Sequence, residues 1–293
     1  MSIYYKKNKL WIAWALVLPV LLIRGFTTIY PFCVTLRNSF YNIRILKGVN
    51  EFAGLTNYIK VFSDKKVQTS IEFTIIFVVV SMIGHVILGV ALALILNMKT
   101  KWRRFIRTIV LIPWAMPESV VGIAAKWAFN DKYGLVNDFI RKFVNDFSLN
   151  WLIHTDTSRF AVIAVDLWRD LPYFAILVLS GLQFISADLY EAAKVDGANA
   201  RQSFLRITLP LITRNVVTLC IPFTLWRLTS FGLVYAMTSG GPGEDTALIA
   251  YRIMTEAFTN LNIGYSSTLA IMLFIVMIVF SAVNMRITNK LEN

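Results

Sequence analysis

Long apolar blocks alternate with polar segments along this chain. Each block approaches or reaches the roughly 20 residues with which an α-helix crosses a bilayer. The blocks cover residues 10–23, 73–96, 109–129, 160–182, 209–236 and 268–283. The first can continue through residues 25–32. The pattern therefore predicts an all-α membrane protein with six transmembrane helices.

Composition and charge agree with a membrane location. The chain is 57% hydrophobic and carries a net charge of +12. Basic residues cluster before the first span, between spans two and three, between spans four and five, and after span six. All of these places fall on one side of a six-span topology, so the positive-inside rule predicts that the N and C termini are cytoplasmic. The first outer loop is basic as well and is expected to be folded and partly amphipathic. No basic surface with interleaved aromatics indicates nucleic-acid binding.

The polar loop between spans four and five predicts a helix, a glycine turn and a second helix. Ser186 can cap the first helix, with Glu191 near its start, where the helix dipole favours an acidic residue. Gly197 can end that helix in the left-handed conformation. A short helix over residues 201–206 then leads to Pro210, which suits the first turn of span five. By spacing alone, an ordinary connecting loop explains the pattern equally well.

The order of residues in this loop resembles a known motif. The loop reads Glu-Ala-Ala, three residues, Gly, nine residues and Ile-x-Leu-Pro, formed here by Glu191, Ala192, Ala193, Gly197, Ile207, Leu209 and Pro210, with Asp196 before the glycine. This pattern resembles the EAA loop of ABC importer permeases. Residues 112–115, 166–173 and 233–242 resemble the carbohydrate-uptake branch of that family, the relatives of maltose and glycerol-phosphate permeases. The likeness runs from about residue 50 onward.

The resemblance implies an assembly in the bacterial cytoplasmic (inner) membrane, which this chain would cross several times. Its partners would be a second permease subunit, usually a distinct homologue, two ABC ATPase subunits, an extracytoplasmic solute-binding protein, a carbohydrate substrate and membrane lipid. The ATPases would hold ATP and Mg²⁺, so this chain is expected to be no enzyme and to hold no cofactor. The expected architecture is a single permease domain over residues 1–293, with a core at 68–288 and a coupling loop at 185–210. The helix of that loop would sit in a cleft of the ATPase, with the Glu191 carboxylate as its anchor.

Polar residues inside the spans are costly and are therefore candidates for function. Span four carries a set at helical spacing i, i+3, i+4, i+7, which shares one face. Span five carries a second set at similar depth. The two sets, predicted to line the substrate pathway, are Asp166, Arg169, Asp170 and Tyr173, and Phe223, Trp226, Arg227 and Ser230.

Two interpretations of these residues stay open. Aromatic rings and polar groups together suit a sugar, since rings stack on its C–H face and polar groups bond its hydroxyls. Alternatively, the aspartates pair with Arg169 or Arg227 and hold the helices together. The run Arg227-Leu228-Thr229-Ser230 departs from the Thr-Phe-Asn-like run common in the branch. Two arginines in the pathway suggest an acidic or mixed sugar, such as a uronate oligosaccharide.

Other classes of function are weaker. An ATP-independent secondary carrier or channel is the main alternative, but it leaves the EAA loop unexplained. An intramembrane enzyme would need a nucleophile–base pair or a metal cluster, and His85 and His154 lack neighbours at ligand spacing. Cys33 and Cys220 are expected to be packed free thiols.

Overall fold

The computed structural model describes residues 2–290, with side chains described from Trp11 onward. Its helices are α1 (Ser2–Arg24), α2 (Tyr30–Ser39), α3 (Thr56–Ser63), α4 (Lys65–Asn97), α5 (Arg103–Val110), α6 (Ile112–Ala115), α7 (Glu118–Ala128), α8 (Leu135–Arg141), α9 (Thr155–Leu182), α10 (Ala187–Val195), α11 (Ala200–Ser203), α12 (Leu209–Thr229), α13 (Gly232–Met237), α14 (Ile249–Met254) and α15 (Ile263–Lys290). Segments of π-helix cover Gly25–Ile29, Phe204–Thr208 and Thr255–Thr259.

Residue contacts divide the chain into two compact units. One comprises the residues up to Ser63 together with Ile253–Met272, and the other comprises Asp64–Arg252 and the chain from Leu273 onward. The single domain over 1–293, with its core at 68–288, stays a prediction.

The first unit contains a small β-hairpin that the all-α prediction missed. Strand β1 (Tyr41–Arg44) pairs antiparallel with β2 (Val49–Phe52), and Tyr41 lies opposite Phe52. A turn of 3-10 helix at Ile45–Lys47 joins the strands. Gly48 closes it with φ of +61°, a conformation that glycine adopts without steric cost. The first outer loop is therefore folded, as expected, but partly as strands.

Several helices are long and apolar enough to span a bilayer. Within residues 2–290 these are Trp11–Ser39, Lys65–Asn97, Ala200–Thr229 and Ile263–Lys290, and a bent pair of helices is the fifth candidate. The remaining predicted span corresponds to α9, which has 28 residues and carries several charges. Six spans and cytoplasmic termini stay predictions.

The third predicted span, residues 109–129, is not one straight helix. Arg103–Ala115 and Glu118–Ala128 meet at an angle of 88°. The break falls at Met116 and Pro117. Met116 has an extended backbone with ψ of 139°, as expected for a residue before proline, and the proline ring cannot donate a helical hydrogen bond. The predicted fifth span is also interrupted, because α12 ends at Thr229 and α13 begins at Gly232.

Close helix packing in the second unit depends on glycines. A β-carbon added at Gly89 of α4 would lie 2.5 Å from Cδ1 of Phe174 on α9. One added at Gly84 would lie 2.7 Å from Cδ2 of Leu167. Both distances are too short for real atoms, so larger residues would force α4 and α9 apart. The two helices pack through a buried apolar cluster that includes Phe174 and Val178.

The polar loop has the helix–turn–helix form that its residues predict. The Ser186 hydroxyl accepts a hydrogen bond from the Asp188 amide at 3.3 Å at the start of α10. Gly197 follows α10 with φ of +78°. Asn199 and Gln202 then bond each other's backbone amides, both at 2.9 Å, and form a capping box for α11. The second helix continues as the π-helical segment Phe204–Thr208 directly into α12.

Candidate functional site

Arg227 of α12 lies at the centre of a buried polar network. Its side chain is 1% exposed. Its Nε donates to Asp166 Oδ2 at 3.2 Å, and its Nη2 donates to Asp170 Oδ2 at 3.1 Å. Its Nη1 donates to the Phe223 carbonyl at 3.1 Å. All three guanidinium nitrogens are therefore engaged within the protein, which joins α12 to α9.

His85 of α4 is the fourth partner of this guanidinium. Its Nε2 lies 2.9 Å from Nη2 of Arg227, and its Nδ1 lies 2.6 Å from the Ser81 carbonyl oxygen. A carbonyl can only accept, so Nδ1 carries the proton and Nε2 accepts from Arg227. The ring is thus neutral and links α4 to the network. Sequence reasoning set His85 aside for want of a neighbour at ligand spacing, although a histidine inside a span was itself a signal.

Arg169 extends the network to the bend between α6 and α7. Its Nη1 donates to Asp170 Oδ1 at 2.7 Å and lies 3.7 Å from Glu118 Oε1. Its Nε donates to the Met116 carbonyl at 3.3 Å. The Ser230 hydroxyl lies 3.4 Å from the other Glu118 oxygen. These contacts tie the broken third span to both α9 and the end of α12.

Basic and acidic side chains are paired within the network. Its basic side chains are Arg169 and Arg227, and its carboxyl groups belong to Asp166, Asp170 and Glu118. The ion pairs of the structural interpretation are therefore present, and each arginine meets at least one carboxylate. Glu118, with a side chain 35% exposed, is the most accessible of the acids.

Four aromatic rings form a cluster beside the ion pairs. Trp114 stacks on Tyr173 with ring centroids 4.1 Å apart and an interplanar angle of 9°. Tyr173 also lies 5.9 Å from Phe223 and 6.1 Å from Trp226. Phe223 is buried, whereas Trp226 is 49% exposed and Trp114 is 37% exposed. We call Trp114, Tyr173, Phe223 and Trp226 the aromatic cluster, and its two tryptophans are its most exposed members.

The structure brings the predicted pathway residues into one region. The two sets on α9 and α12 meet through the ion pairs and through the Tyr173 ring. Their role in binding substrate stays a prediction. Trp114, Glu118 and His85 also belong to this region and were missing from the predicted set. Trp114 falls in the family-like run of residues 112–115, and Glu118 is an acidic residue inside the third predicted span.

The predicted coupling loop exposes most of its Glu-Ala-Ala and glycine residues. Glu191, Ala192, Asp196 and Gly197 are exposed, and Ala193 is half-buried. The Tyr190 hydroxyl lies 2.9 Å from the Thr208 hydroxyl, so α10 is tied to the segment that leads into α12. Within residues 2–290, no three His, Cys, Asp or Glu side chains are grouped so that they could hold a metal ion.

Known proteins share both the sequence and the fold. Residues 85–293 match the family described as binding-protein-dependent transport system inner membrane component. The chain belongs to this family. It is thus a multi-pass permease of the inner membrane and a non-enzymatic subunit, as the EAA loop predicted.

Individual relatives cover almost the whole permease. It is 34% identical over 284 residues to the trehalose/maltose transport system permease protein MalF of Thermococcus litoralis, covering 97% of this chain and 95% of that one. It is 32% identical over 273 residues to the sulfoquinovosyl glycerol transport system permease protein SmoG of Agrobacterium fabrum, covering 93% and 88%. Among solved structures, a bacterial ABC transporter involved in import of the acidic polysaccharide alginate has the same fold, with a TM-score of 0.84, 20% identity and 99% of both chains covered.

Proposed function

We propose that this permease takes sugars or oligosaccharides from a binding protein and forms half of an ATP-driven translocation pathway. The aromatic cluster, beside a polar network on the same two helices, is the observation that carries the proposal. The transport systems named for SmoG and MalF handle sugars or sugar conjugates. Their similarity supports a carbohydrate here as well.

The aromatic cluster suits the C–H face of a sugar ring. Trp226 and Trp114 are the exposed members of the cluster, and an aromatic face packs on such apolar surface. Glu118 and Ser230, whose side-chain oxygens are 3.4 Å apart in the polar network, can bond sugar hydroxyls through a carboxylate and a hydroxyl.

The partners of Arg169 and Arg227 bear on whether the substrate is charged. The prediction of an acidic or mixed sugar needs a guanidinium that can bind a carboxylate. Arg227 already binds two aspartates, and Arg169 binds Asp170. Both guanidinium groups of the network already contact carboxyl groups of the protein, so neither is free to bind an anionic sugar. We propose that this half of the pathway favours neutral sugars. An acidic sugar is the competing hypothesis, because the structurally similar transporter imports the acidic polysaccharide alginate.

The assembly follows the family expectation. A second permease, a distinct homologue in the branch, would supply the other half of the pathway, and each subunit would contribute six spans. Two ATPase subunits holding ATP and Mg²⁺ would bind the coupling loops at the cytoplasmic face, with Glu191 as the anchor. The Tyr190–Thr208 contact would help α10 move as one body with α12 when the ATPases close.

A reconstituted complex with its binding protein tests this proposal. ATP hydrolysis is measured with neutral oligosaccharides and with uronate oligosaccharides of equal length. We expect neutral sugars to stimulate hydrolysis and uronates to leave it near the basal rate. Stimulation by uronates alone would contradict the charge argument and favour the acidic sugar. Sugar uptake by this chain without ATPase subunits would instead support the carrier or channel alternative.

A further inference from the structure

A strongly amphipathic helix follows the loop between the second and third predicted spans. Its apolar side consists of residues at positions i, i+3, i+4 and i+7, all exposed: Trp102, Phe105, Ile106 and Ile109. Its other side carries Arg103, Arg104 and Arg107 within α5. A short helix with basic and aromatic sides is typical of a segment that lies in the membrane interface.

One of these arginines has a structural role. Nη2 of Arg107 donates to the Leu96 carbonyl at 2.8 Å, and its Nε donates to the same oxygen at 3.3 Å. This guanidinium therefore caps the C-terminal end of α4, where the helix dipole places partial negative charge. Its charge is used within the protein.

Three further cations at this place have no such partner. Lys99, Arg103 and Arg104 are exposed and line a cavity of about 360 Å³ together with Asn97, Arg107 and Gln183. Within residues 2–290, no carboxylate forms an ion pair with any of the three. The lining contains only cations and amides, so it offers an anion several donors and no competing negative side chain.

We propose that Lys99, Arg103 and Arg104 bind the headgroup of an anionic phospholipid. The phosphate would enter the cavity, and the acyl chains would lie along Trp102 and Phe105, whose rings are 6.3 Å apart. Basic pockets at the ends of membrane helices attract such headgroups on the cytoplasmic side. The positive-inside prediction places this loop there. The site is separate from the sugar pathway and from the EAA motif.

Lipid titration of the purified full-length complex tests this site. The delipidated complex is titrated with phosphatidylglycerol and with phosphatidylcholine of the same acyl chains, and bound lipid is counted by native mass spectrometry. Each basic residue near an anionic surface contributes roughly a fivefold affinity, so we expect the triple variant Lys99→Gln/Arg103→Gln/Arg104→Gln to bind phosphatidylglycerol about 100-fold more weakly. Phosphatidylcholine binding should not change.

A matched triple variant controls for net charge. Lys65→Gln/Lys132→Gln/Lys142→Gln removes the same charge from exposed lysines elsewhere and should retain tight phosphatidylglycerol binding. Equal binding by the two triple variants would overturn the proposal. If the first variant fails to assemble, Arg103→Gln alone should still weaken binding about fivefold, and no change would again overturn the proposal.

Two further measurements distinguish an anionic lipid from other ligands of this surface. If inorganic phosphate displaced phosphatidylglycerol, the cavity would be a site for free phosphate, and the proposal of a lipid site would be overturned. Loss of ATPase subunits from the triple variant, with phosphatidylglycerol binding unchanged, would show a protein-binding surface and would also overturn the proposal.

Discussion

Arg227 is the residue on which the buried ion-pair network depends. A buried charge is tolerated only when partners replace the water that it loses. Its partners are Asp166, Asp170, His85 and a backbone carbonyl. Each aspartate in turn relies on this guanidinium. Removal of this guanidinium therefore takes the cationic partner of Asp166 away and leaves Asp170 paired with Arg169 alone.

Removal of the Arg227 guanidinium should destabilise the permease strongly. Arg227→Met leaves two buried aspartates beside an apolar side chain, and breaking such a pair costs about 3–5 kcal/mol. Thermal unfolding of the purified chain measures the effect. Lys66→Met is the control, because Lys66 pairs with Glu244 at the surface with 66% of its side chain exposed, and an exposed pair contributes only about 0–1 kcal/mol. Similar losses in both variants would contradict the network.

A companion variant separates lost charge pairing from lost packing. Arg227→Met combined with Asp166→Asn and Asp170→Asn removes the unpaired charges as well as the guanidinium. It should recover part of the stability that Arg227→Met loses, because well-packed neutral groups can replace a buried ion pair.

The tryptophan at the edge of the aromatic cluster should matter for transport and little for folding. Trp226→Ala removes an exposed ring face that we assign to sugar stacking, so sugar-stimulated ATP hydrolysis should fall roughly three- to tenfold at low substrate. Trp127→Ala is the matched control, since Trp127 is 50% exposed and Trp226 is 49% exposed. Equal losses in two assembled variants would argue against the pathway assignment.

At the scale of elements, local signals in the sequence predicted the helix–turn–helix form of the loop at residues 185–210. Ser186, Gly197 and the run into Pro210 each act within a few residues, so their effect on the backbone can be deduced without the rest of the chain. Pro117 is an equally local signal for a break, but the long apolar run around it led to the prediction of one continuous span. The hairpin was missed because its four-residue strands lie in a basic loop without a clear period of two.

The packing of α7 against α13 gives a prediction about an element. A β-carbon at Gly122 would lie 2.7 Å from Cβ of Ala236 and 2.9 Å from the Leu233 carbonyl oxygen. Because backbone atoms stand in the way, Gly122→Val should cost about 1–3 kcal/mol in thermal unfolding.

Gly25→Ala is the control for that substitution. Its added carbon would meet only Ile29 Cδ1, at 3.9 Å, so stability should change little. An unchanged melting temperature for Gly122→Val would contradict the close approach of α7 and α13.

At the scale of the whole molecule, sequence predicted the class of machine, and it offered ion pairing of the aspartates with the arginines as one of two interpretations but did not find the contact of His85. The EAA motif and the apolar blocks identified a multi-pass importer permease, which the family match confirms. The partnership of His85 with Arg227 joins residues 142 positions apart. No local signal reports such a contact, because it arises only when α4, α9 and α12 pack together. The same packing decided which arginines can meet a substrate.

We propose that the coupling loop links ATP hydrolysis in partner subunits to sugar movement through this permease. Glu191→Lys in the reconstituted complex tests it most directly, with Glu51→Lys, an equal charge change on exposed strand β2, as the control. We expect Glu191→Lys to weaken ATPase binding at least roughly tenfold and to abolish uptake, while Glu51→Lys retains both. Wild-type uptake and ATPase binding in Glu191→Lys would contradict the account.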